Sequence, residues 1–357
     1  MKRRAYAAMV TNAVFMGVLA IIVSRAVDYP LRDPDGFLGP AWVRLPMLCV
    51  GAFAADILPR TLWRSRLNPT QFKVEAKLLI REHWTRDRIQ LVILGLISFY
   101  VTYVSYRNLK NFLPFVRSEG ARLHGDLELH KFDHWLLFGH DPGILLHDLL
   151  GTNVAAYVLS WVYLLFLPMV PVSVIVWLVW SRNVSFGYWF VTAQCMCWTL
   201  GTASYYMIPT LGPNFAFEWI YQDLPKTGVS DLQNALYWGR HDVRFDLSNG
   251  VQSVAGFASL HVGITLMMAL VAQYTLRHRF LKIILWVYMG LVVLSTTYFG
   301  WHYIADDIAG AVIAFVSFYL GGIATGQRFD RHLRHSYPTT TTSDVPVDTD
   351  DRSVVSG

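Results

Sequence analysis

Two histidines and an aspartate have the residue types and spacing for phosphoryl chemistry. One histidine stands in Gly256-Phe257-Ala258-Ser259-Leu260-His261-Val262-Gly263, at the head of an apolar run. The other stands in Tyr298-Phe299-Gly300-Trp301-His302-Tyr303-Ile304-Ala305-Asp306-Asp307, at the head of another. If a helix begins at or before His302, Asp306 lies one turn on and on the same face. A carboxylate there can fix the imidazole in one tautomer and stabilise its positive form, as the acid does in a hydrolase triad. Asp307 is rotated off that face. Ser259 suits an N-cap, and a helix N-terminus is a natural seat for phosphate.

The elements that must position these groups are membrane helices. The chain has 357 residues, 54% of them hydrophobic and only 15% charged, with mean hydropathy +0.35. A soluble domain carries about 25% charged residues. The composition therefore describes a polytopic membrane protein and excludes a disordered, collagenous or disulfide-stapled chain. The formal charge of +5 is scattered between the apolar runs, so it marks topology and not a nucleic-acid surface. Cys49, Cys195 and Cys197 fall inside apolar runs. The Cys195–Cys197 spacing is not that of a zinc pair, so the three read as small buried hydrophobes.

A hydrocarbon core of about 30 Å needs roughly 20 apolar residues per helix. Eight windows qualify: 7–27, 42–58, 89–106, 154–180, 186–208, 259–276, 281–299 and 304–325. The first, after Met1-Lys2-Arg3-Arg4, is too long for a signal peptide's apolar region and lacks a clear cleavage site, so it reads as a retained span. Basic residues cluster at 1–4, 59–90, 277–282 and 328–334, which all fall on one side of an eight-span chain. The positive-inside rule makes that side the cytoplasm, with both termini inside. Spans six and eight then present their N-termini, and with them His261 and His302, to the outer face. The segment 107–153 reads as interfacial helices, 209–258 as a polar and aromatic loop, and 326–357 as a disordered cytoplasmic tail. The spans read as lacking polar residues at mid-depth, which argues against a solute path.

Ala-Ser-Leu-His (258–261) and His-x3-Asp (302–306), each at the head of its span, resemble the second and third motifs of the type 2 phosphatidic acid phosphatase (PAP2) superfamily. Those motifs usually read Pro-Ser-Gly-His and Ser-Arg-x5-His-x3-Asp. The resemblance covers roughly 90–325 and implies a six-helix membrane core, here spans three to eight of an all-α membrane protein of about eight helices. In that layout residues 1–88 hold two N-terminal helices and a basic loop, and 89–325 a six-helix catalytic core. It also implies roles. His302 would take the phosphoryl group, Asp306 would orient it, His261 would protonate the leaving group and Ser259 would contact phosphate oxygens. No metal or cofactor is implied.

This chain departs from the family pattern at its cations. Thr296 follows Ser295 where the third motif has arginine, and Ala258 replaces the proline of the second. Aligned through Pro213, the first motif, Lys-x6-Arg-Pro, puts Tyr205 and Gly212 where lysine and arginine belong. Arg107, Lys110, Lys226, Arg240 and Arg244 are the outer-side candidates for replacing them. The missing arginine and the His-Tyr-x-x-Asp sequence are similar to the inositol phosphorylceramide synthase and sphingomyelin synthase branch. Asp133-His134-Trp135-Leu136-Leu137-Phe138-Gly139 resembles the region before the core in inositolphosphotransferase-like members.

The resulting expectation is a membrane phosphotransferase working through a phosphohistidine on the outer face of a bacterial plasma membrane. Its substrate would be a lipid phosphate or phospholipid. Two alternatives stay open. One is a lipid-phosphate or polyprenyl-diphosphate phosphatase, and the other a non-enzymatic transporter, scramblase or assembly protein. The lipid donor, the acceptor alcohol and the oligomeric state are not specified by these residues.

Overall fold

The structure, a computed structural model, describes residues 5–34, 41–181, 183–245, 254, 256–329 and 335–336. These residues form an all-helical protein. In chain order the helices are α1 (Ala7–Ala26), α2 (Ala41–Arg64), α3 (Pro69–His83), α4 (Arg86–Val116), α5 (Glu119–Leu136), α6 (Pro142–Leu150) and α7 (Val154–Trp180). There follow α8 (Val184–Met207), α9 (Pro213–Ala216), α10 (Gly228–Arg244), α11 (Leu260–Thr275), α12 (Arg279–Tyr298) and α13 (Ile304–Ala324). A two-residue pairing of Arg328–Phe329 with Ser336–His335 follows α13. Most of the tail expected to be disordered lies outside the described residues.

Each apolar window corresponds to a helix, and six helices are long and apolar enough to cross a membrane: Ala7–Ala26, Val43–Arg64, Arg86–Val116, Val154–Trp180, Arg279–Tyr298 and Ile304–Ala324. The other two windows differ for physical reasons. Helix α11 has 16 residues, which at 1.5 Å per residue falls short of a bilayer core of about 30 Å. Helix α8 is long enough, but Tyr, Trp, Thr, Ser and Gln dilute its hydropathy. It can carry them because it runs through the centre of the bundle, packed on α4, α13, α1, α11 and α7. Trp189, Phe190, Val191, Ala193, Cys195 and Cys197 are wholly buried there, and all three cysteines are free thiols.

Side chains accept the first N–H groups of several helices: Thr85 for α4, Ser118 for α5, Asn183 for α8 and Ser259 for α11. The contacts sort the helix ends into two groups. At one end Asp56 of α2 accepts from Trp84 and Trp180, and Arg88 of α4 reaches Leu178 and Ser181. At the other end the C-termini of α4, α8 and α12 meet the N-termini of α11 and α13. There Tyr206 donates to the Leu109 carbonyl and Ser204 bonds both Phe257 and Ala258.

Two expectations need correction. Helix α4 does not stop near 106 but continues to Val116, since no breaker precedes Pro114 in its last turn. Arg107 and Lys110 therefore sit on the continuation of this long helix, not on a separate interfacial one. The middles of the long helices are also not uniformly apolar. Gln194, halfway along α8, is buried with neither amide atom hydrogen-bonded.

Candidate active site

The site is assembled where α11 crosses α13. Two glycines permit the crossing: a Cβ on Gly263 would lie 3.1 Å from the Gly310 carbonyl oxygen, and one on Gly310 would fall 2.2 Å from that of Ser259. At this range the Ser259 N–H donates to the Asp306 carbonyl at 3.0 Å. The heads of the two helices are thus joined backbone to backbone.

Helix α5 holds the surrounding loops through two carboxylates seven residues apart. Asp126 accepts from the N–H groups of Leu211 and Gly212, both at 3.1 Å, and from the Tyr303 hydroxyl at 3.2 Å. Asp133 receives the Ile304 N–H at 2.9 Å and the Ala305 N–H at 3.4 Å, so it caps α13 from another helix. Burial pushes the Asp133 carboxyl up to about 6 against the pull of those two N–H groups, and burial likewise raises that of Asp126. Gly212 has φ +102, and a Cβ there would lie 2.4 Å from the Trp301 carbonyl oxygen. Only glycine allows this loop so close to the strand of chain bearing His302.

Within this frame the sequence candidates converge. His261 Nδ1 lies 3.3 Å from His302 Nε2, and His302 Nδ1 lies 3.3 Å from Asp306 Oδ2. Asp306 also accepts the Tyr303 N–H at 3.0 Å, which ties the carboxylate to the first turn of α13. The His261 ring is flanked by Tyr163 at 4.7 Å and Phe166 at 4.5 Å between centroids, and Tyr163 stacks on Trp301 at 5.1 Å. His302 is 5% exposed and Asp306 is wholly buried. Burial drives the His302 imidazole down to about 4; the Asp307 charge opposes this, Lys110 adds to it, and the Gly256 carbonyl opposes it. His302 is therefore neutral at pH 7.

Ser259 and Asp307 bond each other, and the Asp307 charge also acts on His302. Ser259 is wholly buried, accepts the Val262 N–H at 3.4 Å and bonds Asp307. Asp307 accepts from Thr296 at 3.3 Å and Thr297 at 3.4 Å. At the position corresponding to the family's arginine, a hydroxyl thus meets a buried carboxylate.

The five candidate cations separate clearly. The Lys110 ammonium lies 5.9 Å from the Tyr106 ring centre and 5.8 Å from that of Tyr205, and its charge acts on both His261 and His302. It covers the tyrosine that replaces the first-motif lysine. Arg107 bonds the Tyr103 hydroxyl at 2.8 Å. Arg240 and Arg244 both bond Glu119, at 2.5 and 2.6 Å, beside a separate cleft lined by Arg117 and Arg122. Lys226 is exposed. The sequence reading missed Asp126 and Asp133 as organising carboxylates. Their signal was two acids on one face of an otherwise amphipathic helix.

A family profile described as the PAP2 superfamily matches residues 127–320, more than half of the 357-residue chain. The match takes in Asp133, both histidines, Asp306 and Asp307, and begins beyond Lys110 and Asp126. No curated protein and no solved structure matches the chain.

Proposed function

The chain belongs to the PAP2 superfamily, whose members are generally phosphatases or phosphotransferases, and on that premise we propose that it is a membrane phosphotransferase acting on a lipid phosphoester through a phosphohistidine. The observation that carries this reading is the row His261–His302–Asp306, with both links at 3.3 Å and with His302 and Asp306 buried.

The chemistry follows from the partners. With the Nδ1 proton donated to Asp306, His302 presents its Nε2 lone pair as the nucleophile. Attack on phosphorus forms the N–P bond and breaks the P–O ester bond, and His261 gives its proton to the departing alkoxide. An acceptor alcohol then attacks phosphorus, returns a proton to His261 and releases His302 as the N–P bond breaks. Lys110 offsets negative charge on the phosphoryl oxygens, together with the positive end of α11. At 3.3 Å the two imidazoles touch, so a phosphoryl group enters only when one ring turns aside. Transfer, not hydrolysis, is supported by the burial of His302, which is 5% exposed and so restricts water at the intermediate.

All eight apolar helices are proposed as spans. The end away from the site carries Arg60, Arg64, Arg81, Arg86 and Arg88, so the site faces outward and both termini lie in the cytoplasm. A bacterial plasma membrane, and phosphoinositol as the transferred headgroup, extend the proposal.

The test is an assay of purified full-length protein on a panel of lipid phosphates and phosphoinositol lipids, with and without inositol or sugar alcohols. Headgroup transfer that depends on acceptor and disappears in His302→Ala is expected. Free phosphate released at the same rate without acceptor would make the enzyme a phosphatase. Lipid or solute flux surviving removal of both histidines would make it a non-enzymatic protein on this fold.

A further inference from the structure

Apart from the histidine pair, His130, His134 and Asp141 bring three ligand-type side chains together. Their ligand atoms lie within 4.8 Å of one another. The spacing begins with local geometry: His130 and His134, four apart on α5, share a face, and their rings are 4.3 Å apart. The chain then turns through Phe138 and Gly139, both at positive φ, and delivers Asp141 to the same place. His134 Nε2 is 2.9 Å and His130 Nδ1 3.5 Å from the same oxygen, Oδ1 of Asp141.

Two further features set this group apart from an incidental hydrogen-bond cluster. Asp141 occupies the N-cap position of α6, where an aspartate ordinarily accepts a helix N–H, yet its side chain makes no cap bond and turns to the imidazoles instead. The His130 ring is clamped by Phe217, stacked at 3.9 Å and 23°. The three groups are thus held in place, and Asp141 is nine-tenths buried.

We propose that His130, His134 and Asp141 bind a divalent cation of the zinc type, with three protein ligands and one open position. Two imidazoles and a carboxylate are the donors that suit such an ion. Bonds of about 2.0–2.2 Å place neighbouring ligand atoms roughly 3.4 Å apart, close to the separations around Asp141. The ion has a further consequence, which rests on the phosphoryl-transfer reading. His130 and Asp141 line the same cleft as His302, Tyr303 and Tyr221. A bound dication adds positive charge to a cleft whose sequence lacks the family's motif arginine at Thr296.

The full-length protein, purified and stripped with chelator, is titrated with Zn²⁺ and separately with Co²⁺. Metal content per chain, the cobalt ligand-field spectrum and the unfolding temperature are measured. One zinc per chain, a tetrahedral cobalt spectrum and a zinc-dependent rise in unfolding temperature are expected. All three disappear in His134→Gln and in Asp141→Asn and persist in Lys131→Ala, a surface change on the same helix. Zinc held equally well by the His130→Gln/His134→Gln double variant overturns the proposal. Absence of tetrahedral cobalt bands in the wild-type protein overturns it without recourse to any variant. Zinc binding in protein that transfers no phosphoryl group still establishes the site, so this inference and the proposed function fail separately.

Discussion

Gly310 of α13 stands so close to Ser259 at the head of α11 that a Cβ on it would fall 2.2 Å from the serine carbonyl oxygen. The approach lets the Ser259 N–H reach the Asp306 carbonyl and sets the two histidines in contact. Gly310→Ala must push the helices apart, at an overpacking cost of about 1–3 kcal/mol, and is expected to lower both unfolding temperature and turnover. Gly290→Ala is the control, because a Cβ there meets nothing within 4 Å. Equal unfolding temperatures and activities for the two variants would contradict this account.

His302→Ala is expected to abolish transfer and His261→Ala to reduce kcat by about 10²–10⁴-fold, the usual span for a general acid. Asp306→Asn keeps the shape but loses the carboxylate that orients His302, so kcat falls while KM changes little. Steady-state kinetics on the three variants, with the folded state checked by unfolding temperature, decide the matter.

Lys110 is the candidate cation whose charge reaches both histidines. Lys110→Ala is expected to lower kcat/KM by about 10²-fold, the scale of losing one transition-state charge partner, with partial recovery in Lys110→Arg. Lys226→Ala, at an exposed position, should leave kcat/KM unchanged. A silent Lys110→Ala would remove this residue from the mechanism.

The neutral state of His302 has a pH signature. Its imidazole titrates near 4 when folded, against 6.5 for the free side chain, chiefly through burial. Between those values the unfolded chain binds more protons, so this residue's contribution makes stability rise with pH across the window and fall away on acidification. The nucleophile also stays unprotonated through that range. The acid limb of kcat/KM, which reports the free enzyme, is therefore expected near 4, and an acid limb at 6.5 would refute the assignment.

Asp126 serves two backbone N–H groups and the Tyr303 hydroxyl at once. Asp126→Ala leaves these donors buried and unpaired, at about 1–3 kcal/mol each before relaxation. A lowered unfolding temperature in detergent is expected, with activity reduced more than by the exposed Glu128→Ala change on the same helix.

Much of the molecule was legible in the sequence because its signals are local. Apolar runs long enough for a membrane located eight helices, and the His-x3-Asp spacing paired Asp306 with His302, although α13 begins only at Ile304 and His302 meets the carboxylate from outside the helix. Serine before an apolar run marked the head of α11. These features depend on a helix's own rise and periodicity, which any short stretch carries with it. The same reading stopped α4 near 106, because charged residues beyond the apolar window look like the start of an interfacial helix and not the continuation of a span.

The tertiary structure decided which distant groups meet. The contact between His261 and His302 joins residues 41 apart, and the bond from Tyr303 to Asp126 joins residues 177 apart. Neither separation leaves a periodic trace. Lys110 emerged from five candidate cations only when α4 packed beside α8 and set its ammonium over Tyr205. Asp133 became a cap for α13 only once α5 lay across that helix. Local spacing specifies the shape of each helix, but partners are chosen where side chains from separate helices fill one another's space.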